Sequence, residues 1–260
     1  MSVRRAAPPL QAFVLHRYDW SESSLILDVL TRERGRLALA AKGARRPYSQ
    51  LRPVLLPFQR LVLTLARSAG EGAEVHTLRQ AEWAGGLPVL GSDAGGAVFR
   101  AYYCNELVMK LLPREDPHPA VFDAYAATLP ALAGSDDLHA QAALRAFELV
   151  LLRETGVLPD LAAVTLTVQP VQPQQHYVLV PESGVMATRE ESGSLMGATL
   201  LALQQALEAG DLAQLQAACL PGLPALRGAM RTLLQAQTGG TPWRTRDVMQ
   251  GLRRLIDSRP

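Results

Sequence analysis

The amino-acid sequence predicts an α+β multidomain protein, strand-rich over its first third and mostly helical thereafter. Two changes along the chain carry that reading. Apolar residues fall in short or alternating runs before residue 85 and at steps of three to five beyond residue 97, the periodicities of strand and helix. Charge changes in the same region: residues 1–80 hold 13 Arg or Lys against 6 Asp or Glu, residues 81–160 hold 5 against 11, and residues 161–260 hold 8 against 7. The formal net charge of +2 therefore conceals a cationic end joined to an anionic middle, the signature of a polyanion-binding segment attached to a body with other work.

Taken in order, Gln11–His16, Ser24–Thr31, Arg36–Lys42, Phe58–Ala66 and Glu74–Glu82 read as strands, separated by turn-forming stretches such as Arg32–Gly35 and Ser68–Gly72. Five strands in about 80 residues suit a small closed barrel. Among five-stranded barrels the OB-fold most often carries nucleic acid; an SH3-like, protein-binding barrel or a purely structural domain fits the same pattern.

Beyond the Gly- and Pro-rich stretch Gly85–Gly96, three amphipathic helices follow, marked by Val98, Tyr102, Leu107 and Leu111, by Val121, Tyr125, Leu129 and Leu132, and by Leu144, Phe147 and Leu151. Pro113–Pro119 and Gly134–Asp137 divide them, and Pro130 is expected to kink or end the second. Val157–Glu190 carries four prolines, many glutamines and two β-favouring runs, Val164–Val168 and Tyr177–Val180, and reads as an irregular loop with a short hairpin. Leu195–Leu207, Asp211–Cys219, Leu223–Thr238 and Arg244–Ile256 read as helices, with Asp211 an N-cap. The expected division is a barrel at 1–84, a helical bundle at 85–160, the loop and hairpin at 161–190 and C-terminal helices at 191–260 packing on the bundle.

No run of about 18 apolar residues occurs, and Pro8 and Pro9 interrupt the N-terminus before a signal-type region develops, so a soluble, cytoplasmic protein without membrane attachment is expected. Cys104 and Cys219 lie far apart in helical surroundings, which suits buried thiols in a reducing compartment rather than a disulfide.

Enzymatic chemistry finds no foothold. Only two lysines occur, Lys42 and Lys110, neither within the glycine pattern of an ATPase phosphate loop. The five histidines lack HxxxH or HExxH spacing, and no CxxC pair exists, so neither metal nor cofactor is expected. Asp19, Glu22, Asp28 and Glu33 resemble a nuclease cluster only in number; set among arginines, they read as charge balance.

Arg32, Arg34 and Arg36 alternate around a turn, and Lys42, Arg45, Arg46 and Arg52 follow on the next strand end and loop. In a barrel these seven come from one hairpin and its outgoing loop, where they can form one basic surface tracking a phosphate backbone, with Tyr18 and Tyr48 placed to stack on bases. The competing reading is that an arginine-rich chain solvates its loops with arginine.

Longer motifs then carry a resemblance. Ala12–His16, Trp20–Thr31, Gly35-Arg36 and Ala41–Arg45 resemble the opening of the RecO family, and Leu55–Phe58, Glu74–Glu82, Tyr103–Leu107, Leu144–Glu148 and Gly239–Asp247 continue it in order across nearly the whole chain. The resemblance implies an OB-fold followed by a helical domain, no enzymatic turnover, and a role in recombinational DNA repair. It also implies binding of single- and double-stranded DNA, strand annealing, capture of the acidic C-terminal tail of the single-stranded-DNA-binding protein, and cooperation with RecR in loading RecA. Many members carry a four-cysteine zinc site after the third helix. The corresponding stretch here, about Leu161–Glu190, has no cysteine, so zinc is expected to be absent and the loop to be held by packing and its hairpin. For the acidic tail the family position Leu144-Arg145-Ala146-Phe147-Glu148 offers Arg145 as a carboxylate clamp beside Leu144 and Phe147; the alternative is an intrahelical Arg145–Glu148 pair. Two other functional classes remain in view: a protein-interaction adaptor that does not touch DNA, and a metal-dependent nuclease.

Overall fold

The computed structural model describes residues 8–66, 74–86, 95–134, 136–240 and 243–245. It divides into two compact units, residues 1–126 and 127–260. In the first unit, β1 (Leu10–Asp19), β2 (Leu25–Thr31), β3 (Gly35–Ala41), β4 (Gln59–Leu65) and β5 (His76–Gly86) close into a barrel of order β1-β2-β3-β5-β4. That closure, with β3 and β5 parallel and every other pair antiparallel, is the OB-fold arrangement. All five strands fall where period-two patterning places them.

Alternation sorts the side chains. Ala12 and Val14 of β1, Leu27 and Val29 of β2, Leu37 and Leu39 of β3, and Leu61 and Leu63 of β4 fill the interior, all nearly inaccessible to water. One irregularity resets the count. Val14 pairs with Val29 but His16 pairs with Asp28, so Leu15 is an extra residue in β1, a β-bulge. Beyond it His16 and Tyr18 point outward, beside Asp28, where unbroken alternation would have sent them into the barrel.

Helices α1 (Gly95–Leu111) and the start of α2 (Pro119–Ala133) complete the first unit. Asn105 fixes α1 to the bulge: its side-chain amide donates to the Leu15 carbonyl at 2.9 Å, and its carbonyl oxygen accepts from the Tyr125 hydroxyl at 2.5 Å. Burial, reinforced by Cys104 and Tyr102, pushes the Tyr125 phenol well above its ordinary pKa, which keeps it a donor. Phe13, on the outer face of β1, packs against Phe122 and Tyr125 with ring centroids 5.2 and 5.0 Å away. α2 continues through Pro130 to Ala133 rather than ending there. A proline in the last turn removes one helical hydrogen bond near an end where carbonyls are already unpaired.

The second unit is built on α3 (Asp137–Glu154), capped by Asp136, whose carboxylate accepts from the main-chain amides of Leu138 and His139. α5 (Leu212–Cys219) and α6 (Leu223–Gln237) pack on α3, and α4 (Gly197–Ala209) packs on α5. Asp211 caps α5 through Gln214 N, as its position before the apolar run predicts. A three-stranded sheet joins β6 (His176–Val180) to β7 (Gly184–Thr188) and to β8 (Leu195–Met196). Leu195 and Met196 are thus strand, and the helix expected from Leu195 starts at Gly197. The helix expected over 244–256 lies, from residue 246 onward, outside the described residues, as do the connection at 67–73, the stretch 87–94 and residues 241, 242, 246 and 247 of the last family motif.

Val164–Val168, though β-favouring in composition, forms a turn instead of a hairpin strand. Thr165 N donates to Val185 O at 3.0 Å, and Val185 N donates to Thr165 Oγ1 at 2.8 Å. Further along the loop, Val171 N donates to Ala162 O, and the buried Tyr177 hydroxyl accepts from Gln172 N. Hydrogen bonds of this kind, with the β6–β7 hairpin, hold the segment.

Candidate nucleic-acid interface

The β2–β3 ladder runs in register from Thr31↔Gly35 at the hairpin turn to Leu25↔Ala41 at its far end. Seven residues per strand separate those ends by about 20 Å. The seven cations expected to form one surface are therefore divided, with Arg32, Arg34 and Arg36 at the turn and Lys42, Arg45, Arg46 and Arg52 at the opposite end.

At the turn the arginines are already matched. Arg32 forms a two-pronged pair with Asp123 of α2, both contacts 2.9 Å. Arg34 lies 3.4 Å from Glu115, which also meets His76 at 2.6 Å. The His76 hydrogen bond chiefly, with the His76 and Arg34 charges, holds the Glu115 carboxyl below its ordinary pKa. Arg36 is 9 % exposed, and its Nη1 donates to the carbonyls of Met109 (2.6 Å) and Leu112 (2.7 Å) at the end of α1. It serves as a C-cap for that helix, and Asp28 balances its charge at 3.7 Å. Burial lowers the Arg36 pKa, Asp28 opposing. Arg36 thus leaves the expected phosphate-tracking surface: it lies on the outer face of β3, and that face is covered.

The cover is the connection between α1 and α2. Glu115 N donates to Arg36 O at 2.9 Å, and Arg114 Nη2 donates to Asp28 at 3.1 Å. Beneath it the outward residues Asp28, Leu30, Arg36 and Ala38 are all buried. OB-folds commonly bind oligonucleotides across this β2–β3 face and the adjoining loops. Here only the loops are open.

The far end of the barrel offers the exposed cations. The β1–β2 loop and the β3–β4 loop are stitched together by Arg45: its main-chain amide donates to Ser23 O (3.0 Å), Nη1 donates to Ser21 O (2.8 Å), and Nη2 lies 3.3 Å from Asp19. Lys42, Arg46 and Arg52 stand exposed around it. Sequence reasoning missed two residues here. Arg17 joins the group, exposed and donating to Leu55 O at 3.2 Å. Trp20 extends from the β1–β2 loop with 70 % of its surface exposed. Register against β2 would have placed Arg17 toward this end of the barrel, but the bulge that sets the register leaves no mark in composition, and Trp20 lies past the last ladder pair. Asp19 and Glu22 are the carboxylates of these two loops, against five cations. Tyr48 is 95 % exposed, whereas Tyr18 packs its ring on His16 (centroids 4.4 Å) and hydrogen-bonds Asp28. Burial of its hydroxyl end, then the Asp28 carboxylate, raises the Tyr18 pKa.

In the second unit Arg145 Nη1 lies 2.9 Å from Glu148, the intrahelical pair that the spacing allowed. Leu144 and Phe147 are buried within this unit and do not form an open apolar pocket beside it, because α5 and α6 cover α3. The Cys219 thiol shares this environment. Burial pushes it up to about 12, Arg145 opposing and Glu148 reinforcing. Cys104 and Cys219 are both buried and not joined in a disulfide. Among the described residues no group of three or more His, Cys, Asp or Glu is arranged to hold a metal, and no helix is long and apolar enough to cross a membrane.

The family profile Recombination protein O N terminal matches residues 9–87, and Recombination protein O C terminal matches residues 95–246. The DNA repair protein RecO of Polaromonas sp. strain JS666 is 49 % identical over 248 residues, covering 94 % of this chain and 96 % of that protein. The chain belongs to the RecO family. Similar relatives are the DNA repair proteins RecO of Verminephrobacter eiseniae (48 % over 248 residues) and Variovorax paradoxus (47 % over 254 residues), each covering 94 % of this chain and 96 % of its own length. Within this RecO-family chain the first profile coincides with the barrel, and the second takes in the helices and the small sheet.

Proposed function

We propose that this RecO-family protein is a non-enzymatic recombination mediator. In this reading it binds single- and double-stranded DNA, anneals complementary strands and, with RecR, helps load RecA onto DNA coated by the single-stranded-DNA-binding protein. The observation that carries the DNA-binding part is the cationic end of the barrel: Arg17 exposed near the end of β1, and Lys42, Arg45, Arg46 and Arg52 exposed on the β3–β4 loop, which Arg45 ties to the β1–β2 loop. Annealing brings two polyanions side by side, and a compact cationic patch favours this by neutralising phosphates and releasing their counterions. Arginine suits the task because its planar guanidinium both pairs with phosphate and stacks. Capture of the acidic protein tail belongs to the same proposal, without Leu144 and Phe147 as direct contacts.

Charge reversal tests the reading. Replacing Lys42, Arg46 and Arg52 together by Glu spares the Arg45 stitch. It is expected to weaken binding of a short single-stranded oligonucleotide at least a hundredfold near 100 mM salt. The slope of log affinity against log salt should flatten by about 2, at roughly 0.7 per lost phosphate contact. Strand annealing should fall in parallel. The matched control Arg32→Glu/Arg34→Glu changes sites already engaged by Asp123 and Glu115, and should leave the slope within about 0.5. Unchanged binding and annealing by the triple variant, with circular dichroism confirming its fold, would refute the assignment.

A further inference from the structure

We propose that Trp20 and Tyr48 form a stacking clamp for unpaired bases, so that this end of the barrel prefers single-stranded to duplex DNA. The inference rests on the DNA-binding reading above and adds to it the residues that distinguish the two strand forms.

Both rings sit where burial cannot explain them. Trp20 is 70 % and Tyr48 95 % exposed, and neither makes a side-chain hydrogen bond or ring contact among the described residues. The other exposed aromatics differ. Trp83 (64 %) stands on β5 beside Glu82, away from any run of cations in its own strand, and Tyr102 (37 %) packs on Phe58 at 4.9 Å. Tyr18 shares the loops but is engaged by His16 and Asp28. Among the described residues, Trp20 and Tyr48 combine exposure with interleaved cations: Arg17 precedes Trp20 by three residues, and Arg46 and Arg52 flank Tyr48.

The backbone beneath them is organised. Trp20 N donates to Ser24 O at 3.2 Å, closing the β1–β2 loop. The Tyr48 loop is a succession of tight turns, with Arg46 N on Gly43 O (3.2 Å), Ser49 N on Arg46 O (3.0 Å) and Arg52 N on Ser49 O (3.3 Å). Arg45 joins the two loops through Ser21, which follows Trp20, and Ser23, two residues further on, and three peptide steps keep the Tyr48 Cα within about 11 Å of the Arg45 Cα. The two loops that carry these rings are thus joined through Arg45, and the Tyr48 loop also carries the guanidinium groups of Arg46 and Arg52. That alternation suits a strand that offers phosphate and base in turn. In a duplex the base faces are stacked on one another and closed to side chains, while an unpaired strand presents them to aromatic residues.

The test uses the full chain, a fluorescently labelled single strand of about 20 nucleotides, and the same sequence as a duplex. Parent, Trp20→Ala, Tyr48→Ala, the double alanine variant, and Trp20→Phe and Tyr48→Phe are compared by anisotropy across a salt series. Each alanine is expected to weaken single-strand binding about tenfold. Duplex affinity should change less than twofold, and the salt slope should not move because no charge is lost. Phenylalanine, which keeps a π-face, should restore most of the single-strand affinity. Equal losses on both strand forms, or undiminished single-strand binding by the double variant, overturn the clamp while leaving the DNA-binding reading intact. A parent that binds neither strand form removes both.

Discussion

Arg36→Met is expected to cost the protein about 3–5 kcal/mol of stability, because removing one member of a buried charged network leaves the others uncompensated. The Asp28 carboxylate, 4 % exposed, keeps only Arg114 as its cation, and the carbonyls of Met109 and Leu112 lose their guanidinium donor. Methionine fills part of the volume but supplies no hydrogen. With a urea m-value of about 3 kcal/mol per molar, the unfolding midpoint should fall by more than 1 M. The DNA salt slope, measured below that transition, should match the parent's. The opposite pattern, an unchanged midpoint with a flattened slope, would return Arg36 to the phosphate-binding surface.

Gly35→Ala should be comparably severe. Gly35 opens β3 at φ +68, a conformation that non-glycine residues adopt at a cost of about 1–3 kcal/mol. A Cβ there would overlap the main-chain carbonyl of Asp116, which cannot rotate aside as a flexible side chain would. Displacing packed backbone adds about 1–3 kcal/mol, for a total of about 2–6. Thermal unfolding followed by circular dichroism checks the number, and amide exchange at Arg36 and Glu115 locates the damage. Their main-chain contact, Glu115 N on Arg36 O, should open first. A variant that melts with the parent would show that the α1–α2 connection yields without cost.

Both predictions turn on an interaction that local pattern cannot reveal. The strands were legible because alternation is local: Leu37 and Leu39 alternate with Arg36 and Ala38 in the sequence itself. Arg36 read as part of a basic surface from its spacing with Arg32 and Arg34, but nothing near it says that residues some 75 positions later will cover it. The connection Pro113-Arg114-Glu115-Asp116 looks in sequence like a solvated helix break. In the fold its Arg114 answers Asp28 and its Glu115 answers Arg34 and His76. Charge was therefore a sound guide to the cationic end of the barrel and a poor one to which arginines remain available there. Lys42, Arg46 and Arg52 remain exposed because they follow the last ladder pair of β3, and Arg32 and Arg34 are engaged because they precede the first. Arg145 is the converse case in the second unit: its partner Glu148 is three residues away, and the sequence spacing already offered that pair.

The extra residue at Leu15 constrains the gene differently from any of these contacts. Most positions in the barrel limit which amino acid is encoded; between Val14 and Asp19 the constraint falls on how many are. Deletion of the Leu15 codon would leave His16 and Tyr18 outward in an unbroken ladder and remove the carbonyl that Asn105 holds. Deletion of one codon beyond the bulge, with the bulge kept, would instead exchange interior and exterior over the last residues of β1. Substitutions in this stretch test chemistry, whereas changes of length test parity.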